Sequence, residues 1–282
     1  MDRELVLAAL VCALCGPALV AGGLIPARHA TTGPARSLER SAWRQLWAPV
    51  APAALVLAFL VGWALQEPAA SEATAPALLA IAAVFACVWS RAALRAVRSL
   101  RRDVHGVVAM TSGFVHPRVS IAPALMARLD PAALAAVRAH EAAHARHRDP
   151  LRLWLAQIAT DLQWPSRAAR HRFARWRQAL ELARDAEACE HVEGSDLATA
   201  LIEAARLSGA SPGAAIATLV TVGEGTRAFR ERIHRLLDVH PEPAPPRWTW
   251  ARWMPALVAL VLAVVAGCLV GEDVVGLLPG IG

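Results

Sequence analysis

The stretch Ala136–Pro150, AVRAHEAAHARHRDP, decides how the rest of the chain is read. At its centre stands His140-Glu141-Ala142-Ala143-His144, an HExxH run. Residues four apart on a helix share a face, so the imidazoles of His140 and His144 can address one metal ion. Glu141, one step round the helix, reaches a water at that metal and is placed to act as general base, passing the proton on to a leaving amine. Upstream, Asp130-Pro131 is a helix start: a capping side chain, then proline at the first helical position. The helix is expected to run to about Arg148. Leu134 and Val137 precede His140, Glu141 and His144 at three- and four-residue steps, so these residues continue an apolar stripe from which Arg138, Arg146 and Arg148 are excluded.

Two histidines leave a zinc site incomplete, because a catalytic zinc has three protein ligands and an open position. Asp149-Pro150 opens a second helix, ending near Trp164-Pro165, and Ser166 caps a third that runs to about His191. Glu181, in LELARDAEAC, lies on the third helix, 37 residues past His144 (181 − 144). One intervening helix and a turn can bring it back to the first. Glu187, Glu190, His147 and His171 compete for the same role, and an ion pair of Glu181 with Arg177 or Arg184 is the alternative without metal. Asp185, four residues on, is placed to orient a ligand histidine. Asp149 is expected to act as a helix cap and His147 to occupy a helix end. The chain has no Tyr, so His171, Arg184, His191 or another Arg remain as oxyanion donors.

The composition excludes an ordinary soluble domain. Of 282 residues, 56% are hydrophobic, and the mean hydropathy is +0.39. All 29 basic residues are Arg, against 23 acidic ones. They cluster beside apolar segments, which favours a membrane surface over nucleic acid. Five Cys provide no disulfide framework, and Cys12 and Cys15 read as small packing residues within an apolar run. Apolar runs at about 5–27, 48–65, 76–96 and 253–271 are expected to cross a bilayer. Arg-rich 28–47 and the Arg cluster after Arg91 are then cytoplasmic, and 66–75 is outside, as are the N-terminus and the tail Gly271–Gly282. This divides the chain into a three-span segment (1–96), a cytoplasmic insertion (97–250), and a last span with a short tail (251–282). Within the insertion Val104–Met110 and Pro117–Ala122 read as short β-runs, the second able to hold an extended peptide by edge pairing. Asp196–Leu207 and Thr226–Leu237 read as helices, and His240–Trp248 as a Pro-rich linker.

With HEAAHARHRD, Trp164-Pro165 and ELARD in place, and three spans before the insertion and one after it, the chain resembles the BlaR/MecR antirepressor-type integral-membrane zinc metallopeptidases (metallopeptidase family fifty-six). The resemblance implies a mainly α membrane protein with four transmembrane helices. A cytoplasmic α+β, zincin-like (gluzincin) domain would lie between the third and fourth. It implies Zn2+ held by His140, His144 and Glu181, with Glu141 as base and Asp185 supporting a ligand. The implied function is endoproteolysis of a cytoplasmic protein, such as a transcriptional repressor, at a bacterial inner membrane. Partners are then a protein substrate and the lipid bilayer, without direct nucleic-acid contact, and the oligomeric state is left open. There are two departures. Only Gly271–Gly282 follows the last span where antirepressors carry a penicillin-binding sensor, so β-lactam sensing is not expected. Position 184 is Arg where antirepressors often have a small residue or Cys. The alternatives are a quality-control protease of HtpX or CAAX-prenyl type and a catalytically silent membrane scaffold. The bacterial HtpX form places spans between its two motifs, and no apolar run of that length separates His144 from Glu181.

Overall fold

Helix punctuation in the sequence sets several boundaries directly. The Asp130 carboxylate accepts from the Ala133 amide at 2.7 Å, and the Ser166 hydroxyl accepts from the Ala169 amide at 3.2 Å. Both caps stand where the sequence placed them. The computed structural model describes residues 3–24, 33–66, 76–100, 109–207, 222–238 and 254–277. The helices are α1 (Arg3–Leu10), α2 (Gly16–Gly23), α3 (Ala35–Trp47), α4 (Val50–Gln66), α5 (Pro76–Leu100), α6 (Pro123–Met126) and α7 (Pro131–Arg146). They continue with α8 (Asp149–Asp161), α9 (Arg167–Ala188), α10 (Gly194–Leu207), α11 (Val222–Leu237) and α12 (Met254–Gly276). A π-helical turn, Val11–Cys15, joins α1 to α2. Strands β1 (Ala109–Ser112) and β2 (Arg118–Ile121) form an antiparallel hairpin, with Thr111 opposite Val119 and Met110 opposite Ser120.

Leu5–Gly23, Pro76–Leu100 and Met254–Val275 are each long and apolar enough to cross a membrane. A fourth crossing arises if α3 and α4, bent by 46° at their junction, are counted as one. These helices bury Val6, Leu10, Leu19, Leu60, Trp63, Leu78 and Val275 against one another. They leave Val84, Val258, Val261, Leu262 and Leu269 exposed, an outer surface suited to lipid rather than water. Helices α4 and α12 approach until their backbones touch. A Cβ on Gly62 would lie 2.0 Å from the Val264 carbonyl oxygen, and one on Gly267 would lie 2.0 Å from that of Phe59. The Cys268 thiol donates to the Gly62 carbonyl at 3.2 Å. Only glycine permits this approach.

Three readings change. Residues 28–47 were expected to be a polar connector, but 35–47 form α3. Its buried Leu46 joins Ala156, Ala159, Phe173, Trp176 and Leu180 in a layer between α3, α8 and α9. The spacing of Leu38, Ala42, Leu46 and Trp43, Trp47 is helical; averaged polarity hid it. The first β-run is shifted, since β1 begins at Ala109, and residues 104–108 lie outside the described residues. The helix bearing HEAAH ends at Arg146, with His147 as C-cap. Residues 67–75, 208–221 and the linker 240–248 also lie outside the described residues.

Gly267→Val should force α12 off α4 and cost about 2–3 kcal/mol, as over-packing does. Thermal unfolding of the detergent-solubilised protein measures this, and an unchanged midpoint would refute the close approach.

Candidate metal centre

Helix α7 is held on its far side by small residues. Ala136 packs with Leu197, Ala198 and Leu236, and Ala133 and Val137 pack with Leu125 and Ala200. This turns His140, Glu141 and His144 inward, all three buried. Helix α8 leads away, and α9 returns past α7, bringing Glu181 to the histidines. His140 Nε2 and His144 Nε2 face each other at 3.1 Å, and Glu181 Oε2 lies 3.7 and 3.8 Å from them. Two donors on a tetrahedral zinc at its usual bond lengths stand about 3.3 Å apart, so the spacing of this triad fits zinc. Among the described residues this is the group of His, Cys, Asp and Glu side chains that could hold a metal ion.

The other ring nitrogens show how the triad is aimed. His144 Nδ1 lies 2.9 Å from Asp149 Oδ2. His140 Nδ1 lies 3.0 Å from Asp185 Oδ1, a close polar contact whose angle falls short of a well-directed hydrogen bond. With Nδ1 protonated towards a carboxylate in each ring, both Nε2 atoms present lone pairs to the same point. Lone pairs 3.1 Å apart repel unless a cation or a proton sits between them. Burial alone pushes the His144 imidazole down, but Asp149 and Glu181 reverse this and hold it up to about 10. His140 is likewise raised against its burial by Asp185 and Glu181. Glu181 is driven up by burial but held well below the usual carboxylate range by Arg232 and the two histidines, so it is ionised.

Asp149 was expected to cap α8. It is instead the first residue of that helix, turned wholly inward. Arg148 makes this possible by adopting the left-handed conformation (φ 51°), which reverses the chain within two residues of α7. A non-glycine residue pays roughly 1–2 kcal/mol for that conformation. Arg184 was a candidate oxyanion donor, but its guanidinium grips both oxygens of Asp149, at 2.5 and 3.0 Å. Its charge is therefore committed behind His144.

The remaining candidates lie elsewhere. His171 is exposed and ten residues before Glu181 on α9, about 15 Å of helix rise away. It lines a cavity of about 410 Å3 between α9 and α11 with Arg175, Gln178, Leu182, Arg227 and Arg232. His191 is exposed in the turn after α9. His147 and Glu187 pair with each other at 2.8 Å, and Glu190 pairs with Arg36. None of these three competes with Glu181.

Two residues of the site were missed in sequence. Thr111 of β1 places its hydroxyl 2.8 Å from Glu141 Oε2 and 2.9 Å from the Glu141 carbonyl oxygen, with one proton to give. Arg232 of α11 forks onto both oxygens of Asp185, at 2.7 and 2.8 Å, and its Nη1 lies 3.2 Å from Glu181 Oε2. Thr111 lies one residue past the first expected β-run, Val104–Met110, so the first had at most a weak pointer in sequence. The second, 47 residues past Asp185, had none.

The metal-free protein should lose thermal stability as pH rises from about 6.5, the unfolded imidazole value, towards the raised value of His144. Below that range the protonated ring stabilises the fold, and above it that contribution is gone. Zinc replaces the proton, so with zinc the loss should vanish; identical pH profiles of Tm with zinc and with chelator would contradict the site. Asp149→Asn should weaken zinc binding about 10- to 100-fold, measured by chelator competition.

Comparison with curated proteins finds no match, and comparison with solved structures finds none. The family model of Peptidase family M48 matches residues 86–180, about a third of the chain. The matched segment runs from α5 through HEAAH and stops one residue before Glu181. With the His-His-Glu cluster, the match supports a metallopeptidase; the peptidases of that family are generally zinc-dependent.

Proposed function

We propose that the chain is a membrane-bound zinc endopeptidase whose catalytic centre is His140, His144 and Glu181 with Glu141 as general base. One observation carries this reading: two imidazole nitrogens and one carboxylate oxygen converge beside a buried glutamate held by Thr111. His140, His144 and Glu181 would hold the ion, and Asp149 and Asp185 fix the two rings. Bound there, zinc supplies Lewis acidity to water and to the scissile carbonyl. Thr111 occupies one oxygen of Glu141, which leaves the other to take the proton of the attacking water and pass it to the departing amine. Arg232, whose guanidinium is committed to Asp185 and Glu181, keeps both carboxylates ionised.

Strand β1 is also placed to support the substrate, besides the β2 run expected to do so. Thr111 brings β1 against the base. Among the described residues β1 and β2 pair only with each other, so each keeps one edge without a strand partner, and an extended peptide added to β1 would run beside the base.

The apolar helices on either side of the insertion support a membrane protein, and the Arg-rich segments beside them favour a multi-pass inner-membrane layout with the site facing the cytoplasm and the N-terminus outside. That layout, with no apolar run between the motifs, favours the antirepressor-type role: limited cleavage of a cytoplasmic regulator such as a repressor. The second reading is quality control of membrane proteins. The match to Peptidase family M48 favours it, since the HtpX-like proteases fall in that family.

Glu141→Gln should retain stoichiometric zinc and lose proteolysis by about 10²- to 10⁴-fold. A wild type without zinc, or a Glu141→Gln variant that still cleaves, would defeat the reading. Labelling new N-termini in cells with wild type and with Glu141→Gln separates the two roles: cleavage of a single soluble regulator indicates signalling, and cleavage of many membrane proteins indicates quality control.

A further inference from the structure

The contacts behind His144 continue past Asp149 to a helix outside the HEAAH domain. Asp149 Oδ1 accepts from Arg152 at 3.0 Å while Oδ2 holds His144 Nδ1. The other terminal nitrogen of Arg152 donates to Glu39 of α3. Glu39 is buried and also accepts from Trp176 Nε1 at 3.1 Å. The Arg152 guanidinium lies over the rings of Trp43 and Trp176, at 4.7 and 5.6 Å, which fixes its plane. Docking α3 on α9 does not call for this carboxylate. The surrounding layer is apolar, and a well-packed apolar residue at a buried ion-pair position is often as stabilising or more so.

We propose that Glu39 is a positioning residue for the metal centre, acting through Arg152 and Asp149 on the ring of His144. The proposal rests on the zinc site of the previous section. Arg152 is shared between two carboxylates, so its place against Asp149 depends on where Glu39 stands. Arg184 also holds both oxygens of Asp149, from the α9 side, so loss of Glu39 or Arg152 loosens Asp149 rather than freeing it. Helix α3 is followed within three residues by α4, the helix in backbone contact with α12. A rearrangement among the apolar helices that moves α3 therefore acts on the orientation of a ligand histidine. This gives the membrane segment a physical route to the site without a contact of its own there.

The full-length protein in detergent is loaded with zinc, its zinc content is measured, and the rate of zinc release to a chromophoric chelator is followed. Glu39→Gln and Arg152→Lys should each release zinc faster, by up to about tenfold, and the double variant no faster than the singles, because both cut one chain. Arg152→Lys keeps the charge but cannot bridge two carboxylates, so it decides the matter if Glu39→Gln folds poorly. Arg36→Gln removes another ion pair from α3, to Glu190 at 2.5 Å, and should release zinc at the wild-type rate. Wild-type rates in Glu39→Gln and Arg152→Lys would overturn the proposal, as would equal acceleration in Arg36→Gln, which would reduce Glu39 to a docking contact. Absence of zinc from the wild type would instead defeat the site reading on which the proposal rests.

Discussion

Two imidazole nitrogens held face to face at 3.1 Å are the constraint on which the rest of this structure depends. Left alone, His140 and His144 would turn apart. They are prevented by carboxylates behind them, Asp149 and Asp185, each buried and each gripped by an arginine, Arg184 and Arg232. A buried carboxylate is costly without partners, and a buried guanidinium equally so. Here each is supplied with the other, and the facing Nε2 lone pairs are left for a cation or a proton to neutralise. The site is thus built from the outside inward: arginine fixes carboxylate, carboxylate fixes ring, ring presents nitrogen.

That arrangement recruits most of the elements around α7. Helix α8 contributes Asp149 and Arg152, α9 contributes Glu181, Arg184 and Asp185, and α11 contributes Arg232. Strand β1 contributes Thr111 and α3 contributes Glu39. The packing between them is mostly alanine: Ala133, Ala136, Ala156, Ala159, Ala183 and Ala188 are all nearly or fully buried. Small side chains let the helices approach closely enough for short polar contacts across them. Larger ones at these positions would separate the carboxylates from the rings. Helices α8 and α9 are also tied to the ends of the apolar helices, through Arg95 with Asp161 at 2.9 Å and Arg172 with the Gly23 carbonyl at 3.4 Å.

The parts legible in sequence were those encoded within a few residues. HEAAH and ELARD declare themselves because spacings of four place their side chains on one helix face. Asp130 and Ser166 declare themselves because a cap lies beside the helix it starts. Asp149 was misread for the same reason, since Asp-Pro is a strong cap signal. Only the left-handed Arg148 and the imidazole five residues back turn the carboxylate inward. Thr111, Arg152, Arg232 and Glu39 act across 30 to 113 residues of chain, where no periodicity connects them. Helix α3 was legible in principle but was averaged away by its three arginines and its glutamate.

The most direct measurement of the central claim is zinc K-edge X-ray absorption on the purified full-length protein, compared with Glu181→Gln. The account predicts a first shell of nitrogen and oxygen near 2.0 Å with the multiple scattering of two imidazoles, altered in the variant by loss of the carboxylate. A shell containing sulfur, fewer than two imidazoles, or a spectrum unchanged by Glu181→Gln would contradict it.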